Sequence, residues 1–300
     1  MTSITFPTRS TWIHLRFLYS LYLLPVFLFA LSQSPQINIF HALLAFFILH
    51  FLIYPASNGY NSYYDQDEGS IGGIKEPPKV DISLLYTSLA LDVLGIILGF
   101  AIHWSFSLGL FIYGLFSKLY SNRKTRLKSR PIISFLVVFF FQGAFIFFIS
   151  LKSFGTLNFM EMFTYKLILG GLFTSFLVGA SYVLTQVYQH KEDQLRGDIS
   201  LSALLGYRGT FLFSGFCFLT GTGLLLAMFI SDLNYFWPYL LFTSPLVLYF
   251  LFWFMKVWGS DKEANFKNAM RMSTLSFLCL SAYFLFLFWI KNYHGLIIFY

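Results

Sequence analysis

Nine runs of apolar residues follow one another along this chain, near 14–32, 37–57, 82–101, 103–119, 131–151, 164–188, 210–231, 236–255 and 274–299. Most are about 17–26 residues long, enough to carry a helix across roughly 30 Å of hydrocarbon. A soluble fold of 300 residues could not hide that much apolar surface. A bilayer can, because lipid replaces water around the outer faces. Only 11% of the residues are charged and 22% are aromatic, which fits that solvent. The expectation is an all-α integral membrane protein, with nine transmembrane helices in one bundle and a single domain over 1–300. The break between the third and fourth runs, at His103, is the least marked.

The net charge of +7 invites a nucleic-acid reading, and its distribution argues against one. Sorted by loop, seventeen of the twenty basic residues fall on one side of the nine-span scheme, leaving Lys152, Lys166 and Lys291 opposite. By the positive-inside rule the richer side is cytoplasmic, with the N-terminus inside and the C-terminus outside. The expected setting is a bacterial plasma membrane, and the basicity is topology. Arg9 and Arg16 before an apolar run resemble a signal peptide, but the run is long and aromatic, so it reads as a retained first helix. Cys217 and Cys279 lie in apolar runs and read as small core residues.

Ten of the thirteen acids lie in the loops of the basic side, so binding and catalysis are expected at that mouth. In the stretch Ser57 to Gly69, Asn61 and Asp65 are four apart and share a helix face if the second helix continues, with Asn58 one turn earlier. In Gln186 to Asp198, Gln189 and Asp193 repeat the arrangement. An amide and a carboxylate at each of two helix ends form a hard-oxygen set suited to Mg2+, which takes few protein ligands and completes its shell with phosphate and water. Asp67, Glu68 and Glu192 are further candidate ligands. Each stretch taken alone also reads as a solvated helix end. Between them lies Tyr120 to Pro131, with Arg123, Lys124, Arg126, Lys128 and Arg130. Alone it anchors a helix or meets anionic lipid; beside the acidic ends, its cations could neutralise a departing diphosphate.

These residues resemble the UbiA-type intramembrane prenyltransferases, over nearly the whole chain. Asn61-Ser62-Tyr63-Tyr64-Asp65 is similar to that family's first Asp-rich motif, NDxxDxxxD. Tyr120-Ser121 through Arg126-Leu127-Lys128-Ser129-Arg130-Pro131 resembles the YSxPPxRLKxRP segment of the chlorophyll-synthase-like branch. Asp193 to Ser200 followed by Leu205-Gly206 is similar to the second motif, DxxxDxxxGxx[ST] with a trailing Leu-Gly. Three departures stand out: Gly69 where the first motif has its third acid, Gln189 where the second has its first, and Arg123-Lys124 in place of two prolines.

The resemblance implies Mg2+-dependent transfer of a polyprenyl group from an allylic diphosphate to a hydrophobic acceptor within the membrane lipid. It implies Asn61, Asp65, Asp67, Glu68, Gln189, Glu192 and Asp193 about the metal, and Lys124, Arg126 and Lys128 as the catalytic cations. Asn58, Tyr64, Tyr120 and Arg130 would contact substrate, and nucleic acid is not an expected partner. A CDP-alcohol phosphotransferase is disfavoured because its DGxxAR motif is absent: Glu68-Gly69 runs on into Ser70-Ile71-Gly72. A non-catalytic isoprenoid- or lipid-binding relative with a degenerate metal site remains the alternative, favoured by Gly69 and Gln189. The topology is checked by labelling engineered cysteines in intact cells with an impermeant reagent. Positions in the 118–130 loop should be protected and positions near Tyr300 labelled; the reverse pattern would sink the orientation.

Overall fold

The computed structural model describes residues 6–155, 157–195 and 197–297. Arg196 of the second acidic stretch and the terminus at Tyr300 lie outside them. Among the described residues nine long helical segments run in order: α1 (Arg9–Gln33), α2 (Ile39–Asp65), α3 (Ile82–Gly99), α4 (Trp104–Ser121), α5 (Pro131–Phe154), α6 (Tyr165–Thr185), α7 (Leu201–Met228), α8 (Leu233–Gly259) and α9 (Phe266–Ile297). Among the described residues, eight of these segments are long and apolar enough to cross a membrane. The ninth expected span is α4, an 18-residue helix diluted by Ser105, Ser107, Ser117, Lys118 and Ser121. The protein is a multi-pass integral membrane protein.

Helix ends differ from the apolar runs for a physical reason. Hydropathy marks the hydrocarbon-spanning part, whereas backbone bonding continues into the interface. The last helix therefore begins at Phe266 rather than near 274, carrying Asn268 and Arg271. The first begins at Arg9, where the Thr8 side chain caps it by accepting from the Thr11 amide. His103 caps α4 through Nδ1, accepting from Ser105 N at 3.2 Å, and so ends the ambiguity between the third and fourth spans.

Packing closes these helices into a ring. Helix α2 lies on α3, α6 on α5 and α7, α8 on α9, and α9 returns to α1. Large apolar side chains point outward on α3, α7 and α8, among them Ile97, Leu219 and Leu241, as lipid contact requires. The inner faces carry a Phe-rich core, in which Phe29, Phe147, Phe173 and Phe284 interlock with ring centroids 5.0–6.1 Å apart. Polar loops gather at one end, where Ser10 donates to Lys79 O and Thr8 to Asp81. At the other end Lys152 donates to Leu157 O and Lys291 to Gln33.

Two stretches widen into π-helix, Ile48–Ile53 and Phe139–Phe145. The second brings α5 and α6 into backbone contact. Ala144 N donates to Ser175 Oγ at 2.9 Å, and a Cβ on Gly143 would overlap Ser175, whose backbone N would lie 2.7 Å away. Small residues permit such close approach where helix association relies on packing. Gly143→Val should therefore lower stability by roughly 1–3 kcal/mol, as overpacking does. Thermal melting in detergent checks this; an unchanged melt would show that the two helices have room to part.

Candidate functional site

Helix α2 runs on through the polar stretch and stops at Asp65, because Gln66 turns left-handed at φ 50°. Asn58, Asn61 and Asp65 thereby share one face at the end of the helix. Asn61 Oδ1 accepts from the Ser121 hydroxyl at 2.7 Å. The Asp65 side chain is 5% exposed and is ion-paired to Lys128. A carboxylate so buried needs a cation close by, since desolvation otherwise favours its neutral form.

The facing wall comes from the chain after α6. It turns through Gln186–Gln189 into the short helix His190–Leu195, with Asp193 N donating to Gln189 O at 2.9 Å. Burial pushes the Asp193 carboxyl up to about 6. Lys128 is the leading opposing influence, while Asp198 and Asp67 push the same way as burial and Ser200 hydrogen-bonds the carboxylate. One ammonium thus serves carboxylates on both walls: it contacts Asp65 and lowers Asp193. Behind it, Arg126, left-handed at φ 37°, grips Asp198 through two bonds of 2.9 and 2.6 Å. That fork holds the guanidinium above its usual range.

Below these charges a cavity of about 300 Å³ runs into the bundle. Arg16, Asn58, Asn61 and Gln189 line its mouth; Phe141, Leu177 and Leu280 line its depth. Hydroxyls mark the middle, where Tyr120 and Tyr182 bond at 2.8 Å and share Ser134. Gln142, on the π-helical stretch of α5, also faces the cavity.

Of the sequence candidates, Asn61, Asp65, Asp67, Asp193, Arg126 and Lys128 come together around this mouth. Tyr120 and Gln189 line the cavity, and Tyr64 packs on Tyr60 with centroids 4.7 Å apart. Asn58 is also tied to the first helix, donating to Ser20 at 3.2 Å and accepting from Arg16 through its carbonyl. Glu192 lies against Gly69. Glu68, Lys124 and Arg130 are exposed and stand apart from the ion pairs.

Three charged groups escaped the sequence reading as site residues. Arg16 read only as a topology anchor, yet a left-handed break at φ 51° carries it to the cavity mouth. Asp198 had a signal, lying five residues after Asp193 in the same motif. Lys118 pairs with Asp92 on α3 and sits 5.2 Å from the Tyr60 ring centroid.

Among the described residues, no three His, Cys, Asp or Glu side chains stand close enough to form a ready-made metal cage. The donor set nevertheless fits Mg2+, which is commonly bound by one or two carboxylates together with substrate phosphates. Asp65 already holds a cation, the Lys128 ammonium, whose charge also lowers Asp193.

Residues 22–277 match the UbiA prenyltransferase family. The chain belongs to that family. Solved UbiA relatives share its fold. A UbiA homolog from Archaeoglobus fulgidus bound to DMAPP and Mg2+ matches with a TM-score of 0.67 at 16% identity, covering 93% of this chain and 99% of that one. The same homolog bound to GPP and Mg2+ gives a TM-score of 0.66 at 16% identity over the same shares. A solved structure concerning digeranylgeranylglyceryl phosphate synthase in membranes is a third match, with a TM-score of 0.56 at 17% identity over 91% of this chain and 97% of that one. No curated protein sequence matches the chain.

If Lys128 balances both walls, removing its charge must make Asp193 harder to ionise. In Lys128→Met the Asp193 carboxyl should titrate above its value of about 6. Infrared titration of the carboxyl band, with Asp193→Asn as the assignment control, reads this directly; an unmoved midpoint would separate the two groups electrostatically.

Proposed function

We propose that the protein transfers a polyprenyl group from an allylic polyprenyl diphosphate to a hydrophobic acceptor, aromatic or lipid, with Mg2+ as cofactor. This is the chemistry of quinone and isoprenoid biosynthesis. The observation that carries the reading is the buried Asp65–Lys128 ion pair at the end of α2, across from the Asp193 carboxyl that Lys128 lowers, beside a cavity that is polar at its mouth and apolar in its depth. The bound GPP, DMAPP and Mg2+ of the Archaeoglobus fulgidus homolog support it.

In this reading Asn61, Asp65 and Asp193 hold the ion, with Asp67, Glu68, Gln189 and Glu192 as auxiliaries. Bound Mg2+ supplies Lewis acidity and neutralises part of the diphosphate charge. Lys128 exchanges its bond to Asp65 for one to a diphosphate oxygen, and with Arg126 it stabilises the negative charge that grows as the C–O bond breaks. Lys124 and Arg130, exposed on the same loop, add to the field that draws the anion in. The prenyl tail lies along Phe141, Leu177 and Leu280. Tyr60 and Tyr64, packed with their rings tilted at 43° at the end of α2, offer aromatic faces to the allylic cation. Asn58 and Tyr120 shape the walls against which the substrate lies. The polar end faces the cytoplasm, as the basic-residue count expects.

A second reading, a non-catalytic isoprenoid binder, is favoured by one feature: Gly69 and Gln189 remove two carboxylates from the family pattern. The same experiment separates the two. A prenyl diphosphate analogue with Mg2+ should protect the purified protein against heat, and Asp65→Ala or Asp193→Ala should remove about 1–3 kcal/mol of that protection, as linkage requires. Equal protection in wild type and both variants would rule out these ligands. Protection without transfer to any of a panel of aromatic and lipid acceptors would favour the binder.

A further inference from the structure

A second hollow lies beside the cavity and is closed off from it. Between α8, the first turns of α9 and the loop after α2 runs an open groove of about 1020 Å³. Two contacts form the partition. Phe266 packs edge-on against Tyr188 with ring centroids 5.2 Å apart, and the Thr274 and Tyr22 hydroxyls share a hydrogen bond of 2.7 Å. Phe266 and Thr274 line the groove, whereas Tyr188 and Tyr22 line the cavity.

One face of α9 forms the long wall of the groove. Lys267, Arg271, Thr274 and Leu278 are spaced by four, three and four, so they stand in a single exposed stripe. From Lys267 to Leu278 that stripe rises roughly 16 Å. The headgroup layer is only about 5–8 Å deep on each side of the hydrocarbon. A stripe that begins at the polar end therefore reaches acyl chains by Leu275 and Leu278. Facing it are Tyr249 from α8 and Lys75 from the loop.

The charges at the head of the stripe are uncompensated. Among the described residues, Lys75, Lys267 and Arg271 line the groove and no carboxylate does. Lys267 and Arg271 form no ion pair with any described acid. Glu263, four residues before Lys267, accepts instead from Asn268 Nδ2 at 3.1 Å, and Glu76 stands 3.9 Å from Lys75 at the exposed rim. Arg126 and Lys128, on the other basic loop, each hold an acid. Charges that served only to orient α9 could point to water on any face of the helix. These two share the face that continues downward as apolar surface.

We propose that the groove is a binding site for an anionic phospholipid, with the phosphate among Lys75, Lys267 and Arg271 and an acyl chain along Leu275 and Leu278. Basic recesses between membrane helices at the cytoplasmic end take such headgroups. Lipid fills any groove that opens into the bilayer, so the three cations decide only which headgroup is selected. A zwitterionic lipid brings its own ammonium and gains less from them. The site is separate from the metal–diphosphate mouth and does not depend on it.

Native mass spectrometry of the detergent-purified full chain, titrated with phosphatidylglycerol or with phosphatidylcholine of the same acyl chains, tests this. The wild type should retain phosphatidylglycerol on the order of tenfold more tightly. Lys267→Gln/Arg271→Gln should weaken that retention by about twentyfold, near fivefold for each cation, and leave phosphatidylcholine unaffected. Lys256→Gln/Lys262→Gln removes the same charge from the same end of the bundle outside the groove, and should stay within about twofold of wild type. Should the first variant melt lower in lipid-free detergent, Lys75→Gln on the exposed loop must still cost about fivefold. No preference in the wild type, or equal losses in the two double variants, would overturn the site. Displacement of the bound lipid by inorganic phosphate would overturn it too, in favour of a free-anion site.

Discussion

Charge inside a low-dielectric bundle persists only when it is paired, and the polar end of this protein is organised by that requirement. Asp65 is nearly fully buried and would stand uncompensated without Lys128. Breaking such a pair by removing one partner commonly costs about 3–5 kcal/mol. The cation comes from the loop between α4 and α5, so burying the acid of α2 dictates where that loop must fold. Arg126 pins the same loop to Asp198 on the opposite wall. The mouth of the cavity is thus built from two acidic walls with a basic bridge across them.

Such a mouth suits a substrate that is itself an anion bound to a metal. Without it, ammonium and guanidinium groups neutralise the carboxylates. In the proposed function a diphosphate arriving with its ion would give both sets of charges new partners, so that the mouth need never hold an unpaired charge. The tyrosines below complete a gradient from ionic to polar to apolar. Tyr120, Tyr182 and Ser134 exchange hydrogen bonds among themselves, which satisfies buried hydroxyls that lipid could not.

Much of this was legible in the sequence, and the reason differs by feature. The continuation of α2 through Asn61 and Asp65 was readable because spacing by four already places residues on one face of a helix. Within the basic run, by contrast, nothing distinguished Lys124 and Arg130 from Arg126 and Lys128. That run is not a long helix: Arg126 turns left-handed and a single 3-10 turn, Leu127–Ser129, follows. Which cations face inward is set by those turns, and periodicity carries no information about them. Arg16 was hidden for the same reason, since its inward turn depends on one positive φ inside an apolar run.

The membrane class, the helix order, the gathering of charge in one set of loops and the acids at two helix ends could all be read from the chain before it folds. These follow from hydropathy and helical period, which are local properties of the chain. It took the closed bundle to pair Lys128 with Asp65, to bring Arg126 to Asp198 and to lay Glu192 against Gly69. Each of these joins residues roughly 60 to 130 positions apart, and the cost of an unpaired buried charge or of overlapping atoms exists only once the helices have closed around them.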